Sequence, residues 1–442
     1  MKMRFLLFVQ HFYPSREIGA KRPSEMAKHL IAQGHQVDVL CARTSAPWDE
    51  IQRASLASCA ITQVPVPIKF APMLLKAWKA LKAKVSRRRA QPRDERYLVN
   101  TSKQATQVGT LRRWYFSFEA LYCGLKLWAV ACIPAAWFSL KKVKNQIVIT
   151  SCPPMSTALV IRLIRALGSR RVRWIIDLRD PFMSPSHPSS TSALRTGLER
   201  WAERACLSDC DVIVAASPGI ERDIKARLPA LAGKIRVVYN GYDGQARLSE
   251  VRHLGSTLKL LSAGTIYLQR DPRPLLDGIK IALASGLPSD AFHLTFLGNC
   301  ENPTRDTLLQ WIADRGLSHA VSVHAAVPPS EVEQFMQRVH VLVNFAQGQE
   351  ALIPAKTYDY MASGKEVLTI TEQDSETARI VTQATCGPVV LPDATAVAGV
   401  LLHLYQRYIT NGETYSPNIA AISAFSRDHQ NAQMLRICEA LM

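Results

Sequence analysis

Residues 353–370 read IPAKTYDYMASGKEVLTI, and the way this stretch divides decides the fold. Pro354 suits the first turn of a helix, where its missing N–H would have no partner anyway. Gly364 stands where a left-handed cap is needed, and the apolar VLTI that follows reads as a buried parallel strand. Between these stops lies a helix of about three turns. Ala355, Tyr358 and Met361 share one face of it; Lys356, Asp359 and Ser363 fall on another. A cation in the first turn, here Lys356, opposes the helix dipole unless an anion is bound there. A phosphate would turn that penalty into a gain, and Asp359, one turn on, could accept bonds from sugar hydroxyls. A surface lysine and a solvated aspartate satisfy the same local pattern, so the stretch alone leaves both readings open.

Working outward, the same strand–helix rhythm covers most of the chain. Toward the C-terminal side the expected strands are residues 259–263, 293–297, 321–324, 340–345, 366–370 and 387–391, with helices at 274–285, 305–315 and 330–338. Toward the N-terminus, strands are expected at 4–9 and 37–41 with a helix at 24–33 between them, and a further strand within 51–67. Residues 146–150, 172–177, 212–215 and 235–239 continue the series, with helices at 157–167 and 194–207. Alternation at this spacing argues for parallel sheets with helices on both faces. At 442 residues the chain exceeds one ordinary core. The polar, glycine-containing segment 241–257 reads as a linker between residues 1–240 and a second domain at 258–418, with a closing helix at 419–442. The fold class is therefore α/β, two doubly wound Rossmann-like domains facing each other across a cleft.

In such sheets ligands meet the loops that follow the strands. Four of these matter in the first half: the loop around Gly19 with Arg16, Lys21 and Arg22, residues 151–154, residues 177–182, and residues 217–219. In the second half, Gly264 follows the first strand, and Arg270 and Arg273 lie just beyond it. Neither half carries G-x-G-x-x-G and no Walker loop is present, which excludes the usual dinucleotide and nucleoside-triphosphate signatures. The ten cysteines form no C-x-x-C pair and have no regular spacing with histidine, so reduced thiols are expected rather than a zinc site or disulfide framework.

The formal net charge of +18 is uneven. Residues 69–144 hold 17 Lys/Arg against 3 Asp/Glu, so about +14 of it lies there. No nucleic-acid-binding module surrounds this block, and nucleic acid is not expected as a partner. Residues 76–89 are basic and amphipathic, and 112–138 are aromatic and apolar. The longest uncharged run, 127–140, is shorter than the ~20 residues that span a bilayer. Attachment to an anionic membrane surface and an ordinary domain helix with snorkelling lysines are both consistent with this composition. No cleavable signal is read before the first strand, so a cytoplasmic protein, peripheral on the inner membrane face, is the expectation.

These residues resemble a known family: the retaining GT-B glycosyltransferases of glycosyltransferase family 4. The resemblance runs almost end to end. It is carried by FVQHFYPSREIGAKRPSEMAKHLIAQGHQVDVL, by SPGIERDIKA with IRVVYNGYD, where Asn240, Gly241 and Asp243 match N-G-x-D, and by SAGTIYLQRDPRPLL and IPAKTYDYMASGKEVL. It implies transfer of a sugar from a nucleotide-diphosphate donor to an acceptor hydroxyl with retained configuration; taken with the basic aromatic stretch, a lipid-linked or polysaccharide acceptor at a membrane face is the expectation. Asp359 would take the place of the second carboxylate of the E-x7-E motif and bind the donor ribose. Arg270 and Lys356 would neutralise the diphosphate, with Gly19 and Gly264 letting backbone approach the donor. No cofactor and no bound metal are implied.

Several positions depart from the family pattern. The second carboxylate is Asp rather than Glu, and Ala351 stands where the first is expected, with Glu350 one position off. Gly19-Ala20 replaces a pair of glycines. The loop matching the acceptor-domain histidine reads DLRDP, leaving Asp177 or Asp180 to orient or deprotonate an acceptor hydroxyl; Asp180, before Pro181, would equally shape a turn. Asp180 and Glu350 are thus the catalytic candidates. A sugar-nucleotide-binding protein without turnover and a sugar-nucleotide epimerase are the alternatives.

Overall fold

The computed structural model describes residues 2–65, 127–141, 146–168, 172–181, 193–248, 255–267, 270–301 and 303–442. Thirteen strands are found among them. Strands β1 (Arg4–Phe8), β2 (Gln36–Ala42), β3 (Ala60–Val64), β4 (Gln146–Cys152), β5 (Arg173–Leu178), β6 (Val212–Ala215) and β7 (Ile235–Val237) form one sheet in the order β3-β2-β1-β4-β5-β6-β7. Strands β8 (Leu258–Ala263), β9 (Phe292–Leu297), β10 (Val321–His324), β11 (Val341–Phe345), β12 (Glu366–Ile370) and β13 (Val389–Val390) form the other, in the order β10-β9-β8-β11-β12-β13. Contacts divide the chain into two compact units, one of Met1–Asp177 with Ser190–Asp211, the other of Leu178–Ser189 with Val212–Met442. The fold is α/β, with two Rossmann-like domains.

The central strands are buried throughout because both faces are covered. Every residue of VLVNF in β11 and of EVLTI in β12 is buried. Alternate side chains feed two cores. Leu258, Leu260, Val341, Val343, Phe345, Leu368 and Ile370 pack with Leu276 and Ile279 of the Arg273–Ala284 helix and Val397 and Leu401 of the Ala394–Tyr405 helix. Leu261, Ala263, Leu342 and Val367 pack instead with Tyr358, Met361 and Ile380. Parallel register aligns the two strands, Val341 against Glu366 through Phe345 against Ile370.

Each sheet reverses its winding once: between β1 and β4 in the first, between β8 and β11 in the second. In sheets of this kind the loops leaving such strand pairs turn to opposite faces, and the carboxyl edge at that point is where ligands bind.

Local differences from the sequence expectations have identifiable causes. The first helix spans Ile18–Ala32, so Gly19 sits in its first turn rather than in a loop. Ser24, where the helix was expected to begin, lies inside it: its buried hydroxyl accepts from the Tyr13 backbone N–H at 2.9 Å, and Pro23 is accommodated in the helix as well. The expected strand within 51–67 splits into a short helix, Glu50–Ser55, capped by Asp49, followed by β3. Ala355 is exposed rather than buried, while Tyr358 and Met361 are in the core as expected. Of the basic and aromatic stretches, Leu127–Ala131 and Ile133–Lys141 are helices; residues 76–89 and 112–126 lie outside the described residues. Among the described residues no helix is long and apolar enough to cross a membrane.

Candidate functional site

The second sheet's crevice is built from two loops and one helix. β8 ends at Ala263, and Gly264 follows at φ +108°, a conformation that L side chains rarely adopt. Its N–H donates to the Leu297 carbonyl at 2.9 Å, which fastens the end of β8 to β9. Gly298 (φ +142°) completes the arrangement: a Cβ there would stand 2.4 Å from the Gly264 oxygen. Backbone is thus packed on backbone at this edge.

Arg270 is folded back over the loop that leaves Gly264. Its Nη1 donates to the Thr265 carbonyl at 3.0 Å, and its guanidinium lies 4.2 Å from the centre of the Tyr267 ring. Only 9% of the residue is exposed, and its Nε finds no partner among the described residues. Burial lowers its pKa from the ordinary value, though guanidinium stays charged at any physiological pH.

Lys356 enters from the Ala355–Ala362 helix, which begins directly after Pro354 and ends at Ser363, with Gly364 in the left-handed conformation (φ +78°). A Cβ built on Gly264 would lie 3.9 Å from Lys356 Cδ, so the lysine stem runs over that glycine. The ammonium lies 5.8 Å from the Phe345 ring and 5.7 Å from the Tyr360 ring. The residue as a whole is half-buried. Burial first, and the Arg270 charge second, hold its pKa well below the ordinary 10.5. Neither cation has a carboxylate partner among the described residues.

Tyr360 ties the helix to the strand edge. Its hydroxyl donates to the Ala263 carbonyl at 2.9 Å and accepts from the Ala263 N–H at 2.8 Å. Burial pushes this phenol's pKa up, so it remains a neutral donor.

Gly264, Arg270 and Lys356 are therefore brought together at one strand edge. Asp359, on the same helix as Lys356, is exposed, and Glu350, on the loop between β11 and that helix, is exposed as well, its carbonyl accepting from the Glu376 N–H at 3.0 Å. Asp180 is half-buried beside Pro181. Gly19 lies in the other unit, within its helix.

The first sheet's crevice holds a different arrangement. Arg22 reaches Asp177 with Nη2 at 2.8 Å and Nε at 3.0 and 3.1 Å, and Ser151, at the end of β4, donates to the same carboxylate at 3.2 Å. Both charged partners are buried. Arg22 and Asp177 are thus paired with each other, a partnership that the sequence did not indicate.

Tyr267, Tyr360, Gln347 and Gln349 join the site without having been indicated by the sequence; Gln347 and Gln349 flank Gly348 just after β11, a polar cluster beyond a buried strand that is the one local signal for them. Among the described residues no group of His, Cys, Asp or Glu is arranged to hold a metal ion.

A family model described as glycosyl transferase 4-like domain matches residues 19–241, just over half the chain. No curated protein matches it. Solved structures do. Sucrose-phosphate synthase from Thermosynechococcus elongatus superposes with a TM-score of 0.61 at 15% identity, over 100% of this chain and 99% of that one. Anabaena Alr3699/HepE in complex with UDP and glucose gives 0.59 at 14%, over 99% and 100%. The lipopolysaccharide outer core galactosyltransferase WaaB in its apo form gives 0.61 at 14%, over 98% and 100%. At these identities the structures speak for the shared fold alone; the family rests on the matched half. The chain belongs to the glycosyl transferase 4-like family and is a glycosyltransferase with the two Rossmann-like domains of the GT-B fold.

Proposed function

We propose that this glycosyltransferase moves a sugar, with retention of anomeric configuration, from a nucleotide-diphosphate sugar to a hydroxyl of a lipid-linked or polysaccharide acceptor. The observation that carries the donor half is the pair Arg270 and Lys356. Two cations that repel each other, held near Gly264 with no counter-charge among the described residues, are stabilised when a dianionic group joins them. As the sugar leaves, charge grows on the terminal phosphate, and fixed cations with the N–H groups opening the Ala355–Ala362 helix are suited to stabilise it. Asp359 is the proposed ribose partner, and Glu350 the proposed partner of the donor sugar. Gly264 leaves room for phosphate, and Gly19 and Asp180 are the proposed contributors from the acceptor side. The reaction needs no cofactor in this reading.

The acceptor class is supported by the basic, aromatic composition of residues 69–144, which suits work at the inner face of an anionic membrane. A thermal-shift panel of nucleoside diphosphates and sugar nucleotides tests the donor reading. UDP is the natural first probe, since the similar Anabaena HepE was crystallised with it. A ligand at a hundredfold its Kd should stabilise the fold by ~2.7 kcal/mol. Stabilisation by none of the panel would overturn the reading. For the acceptor, transfer of labelled sugar into lipid extract is expected, and the anomeric proton signal of the product decides between retention and inversion.

A further inference from the structure

Between β11 and the helix of Lys356 runs the loop of residues 346–354, and three consecutive residues in it are fastened to neighbouring loops. Gln347 Nε2 donates to the Asp271 carbonyl at 2.9 Å. The Gly348 N–H donates to the Glu372 carboxylate at 3.2 Å, beyond the end of β12. Gln349 Nε2 donates to the Tyr267 hydroxyl at 3.3 Å. Both glutamines are more than nine-tenths buried, at 6% and 7% exposure. Burying a primary amide costs free energy unless its polar atoms are hydrogen-bonded; both Nε2 groups are bonded here, while Gln347 Oε1 has no partner among the described residues.

What these bonds fix is visible in where they end. Tyr267 and Asp271 bracket Arg270 in sequence, and the Tyr267 ring lies under its guanidinium. Arg270 itself is restrained by one backbone acceptor and that ring. The two glutamines thus hold the loop of one cation against the loop that leads into the other. We infer that Gln347 and Gln349 are positioning residues for Arg270, cross-bracing the two loops so that the cation pair is set before the donor diphosphate arrives. The inference rests on the donor reading above and adds to it the residues that preorganise its charge.

Preorganisation lowers the ordering that a ligand must impose, so losing a brace weakens binding while leaving the charges in place. Calorimetric titration of the full chain with inorganic pyrophosphate, a probe independent of nucleotide base and sugar, tests this. Gln347→Leu and Tyr267→Phe are the variants. The second keeps the ring under Arg270 and removes only the hydroxyl that Gln349 reaches, so it decides the matter if the buried leucine prevents folding. Each should weaken pyrophosphate binding by about three- to tenfold. In an Arg270→Ala background each should have almost no further effect, since a brace acts only through what it holds. Folded variants that bind as the wild type does, or that lose as much without Arg270 as with it, overturn the inference alone. If Arg270→Ala and Lys356→Ala bind pyrophosphate unchanged, the donor reading fails first and the inference falls with it.

Discussion

Lys356 and Arg270 raise each other's cost in the empty protein, and that cost has a pH signature. The folded chain binds fewer protons at Lys356 than the unfolded chain does between its depressed pKa and the ordinary 10.5. Below the depressed pKa the lysine is charged in both states and the full penalty is present. As pH rises through that window the penalty is relieved, so ligand-free stability gains relative to Lys356→Met. Melting curves of the two proteins across alkaline pH should diverge in that sense; parallel curves would contradict it. Diphosphate does the reverse, restoring the proton, so its binding should take up protons and weaken as pH rises. Calorimetry in buffers of different ionisation enthalpy reads that uptake directly. Lys356 was legible in the sequence because a cation in a helix's first turn is locally out of place. The polar cluster of Gln347 and Gln349 shows locally, but what they hold does not, because their partners lie 76 and 82 residues away along the chain.

At the scale of elements, the crevice depends on strand edges being held at fixed height. Tyr360 closes both backbone groups of Ala263, so Tyr360→Phe leaves a buried donor and a buried acceptor unsatisfied. A loss of about 1–3 kcal/mol in chemical denaturation is expected. Gly298→Ala forces a Cβ toward the Gly264 oxygen at a backbone angle suited only to glycine, and a loss of roughly 1–3 kcal/mol should follow. A variant with wild-type stability would show that the edge is looser than described. The strands themselves were readable, because largely apolar runs such as VLVNF and EVLTI leave no other comfortable state. Their ends were less so. The first helix, expected from residue 24, starts at Ile18, and Ser24 within it serves the Tyr13 backbone, a contact across 11 residues.

For the whole molecule, the alternation of strands and helices announced two parallel sheets, but not which strands are neighbours. That order depends on contacts across tens of residues, and it is what puts the loops of β8 and β11 side by side. The first unit shows the same limit: Arg22 and Asp177 are 155 residues apart, and nothing local to either betrays the pairing. Arg22→Ala would leave Asp177 buried with Ser151 as its remaining described donor, and a loss of about 3–5 kcal/mol is expected in urea unfolding. Replacing both partners by apolar residues of similar volume should recover much of that. A small effect of the single change would mean that water already reaches the pair.

The central claim is that one diphosphate is seated by Lys356 and Arg270 at the edge of β8 and β11. A crystal structure with the nucleoside diphosphate that stabilises the protein most tests it directly. Phosphate oxygens should lie about 3 Å from Lys356 Nζ and from the Arg270 guanidinium, above Gly264. Phosphates bound elsewhere, with those two side chains unengaged, would contradict it.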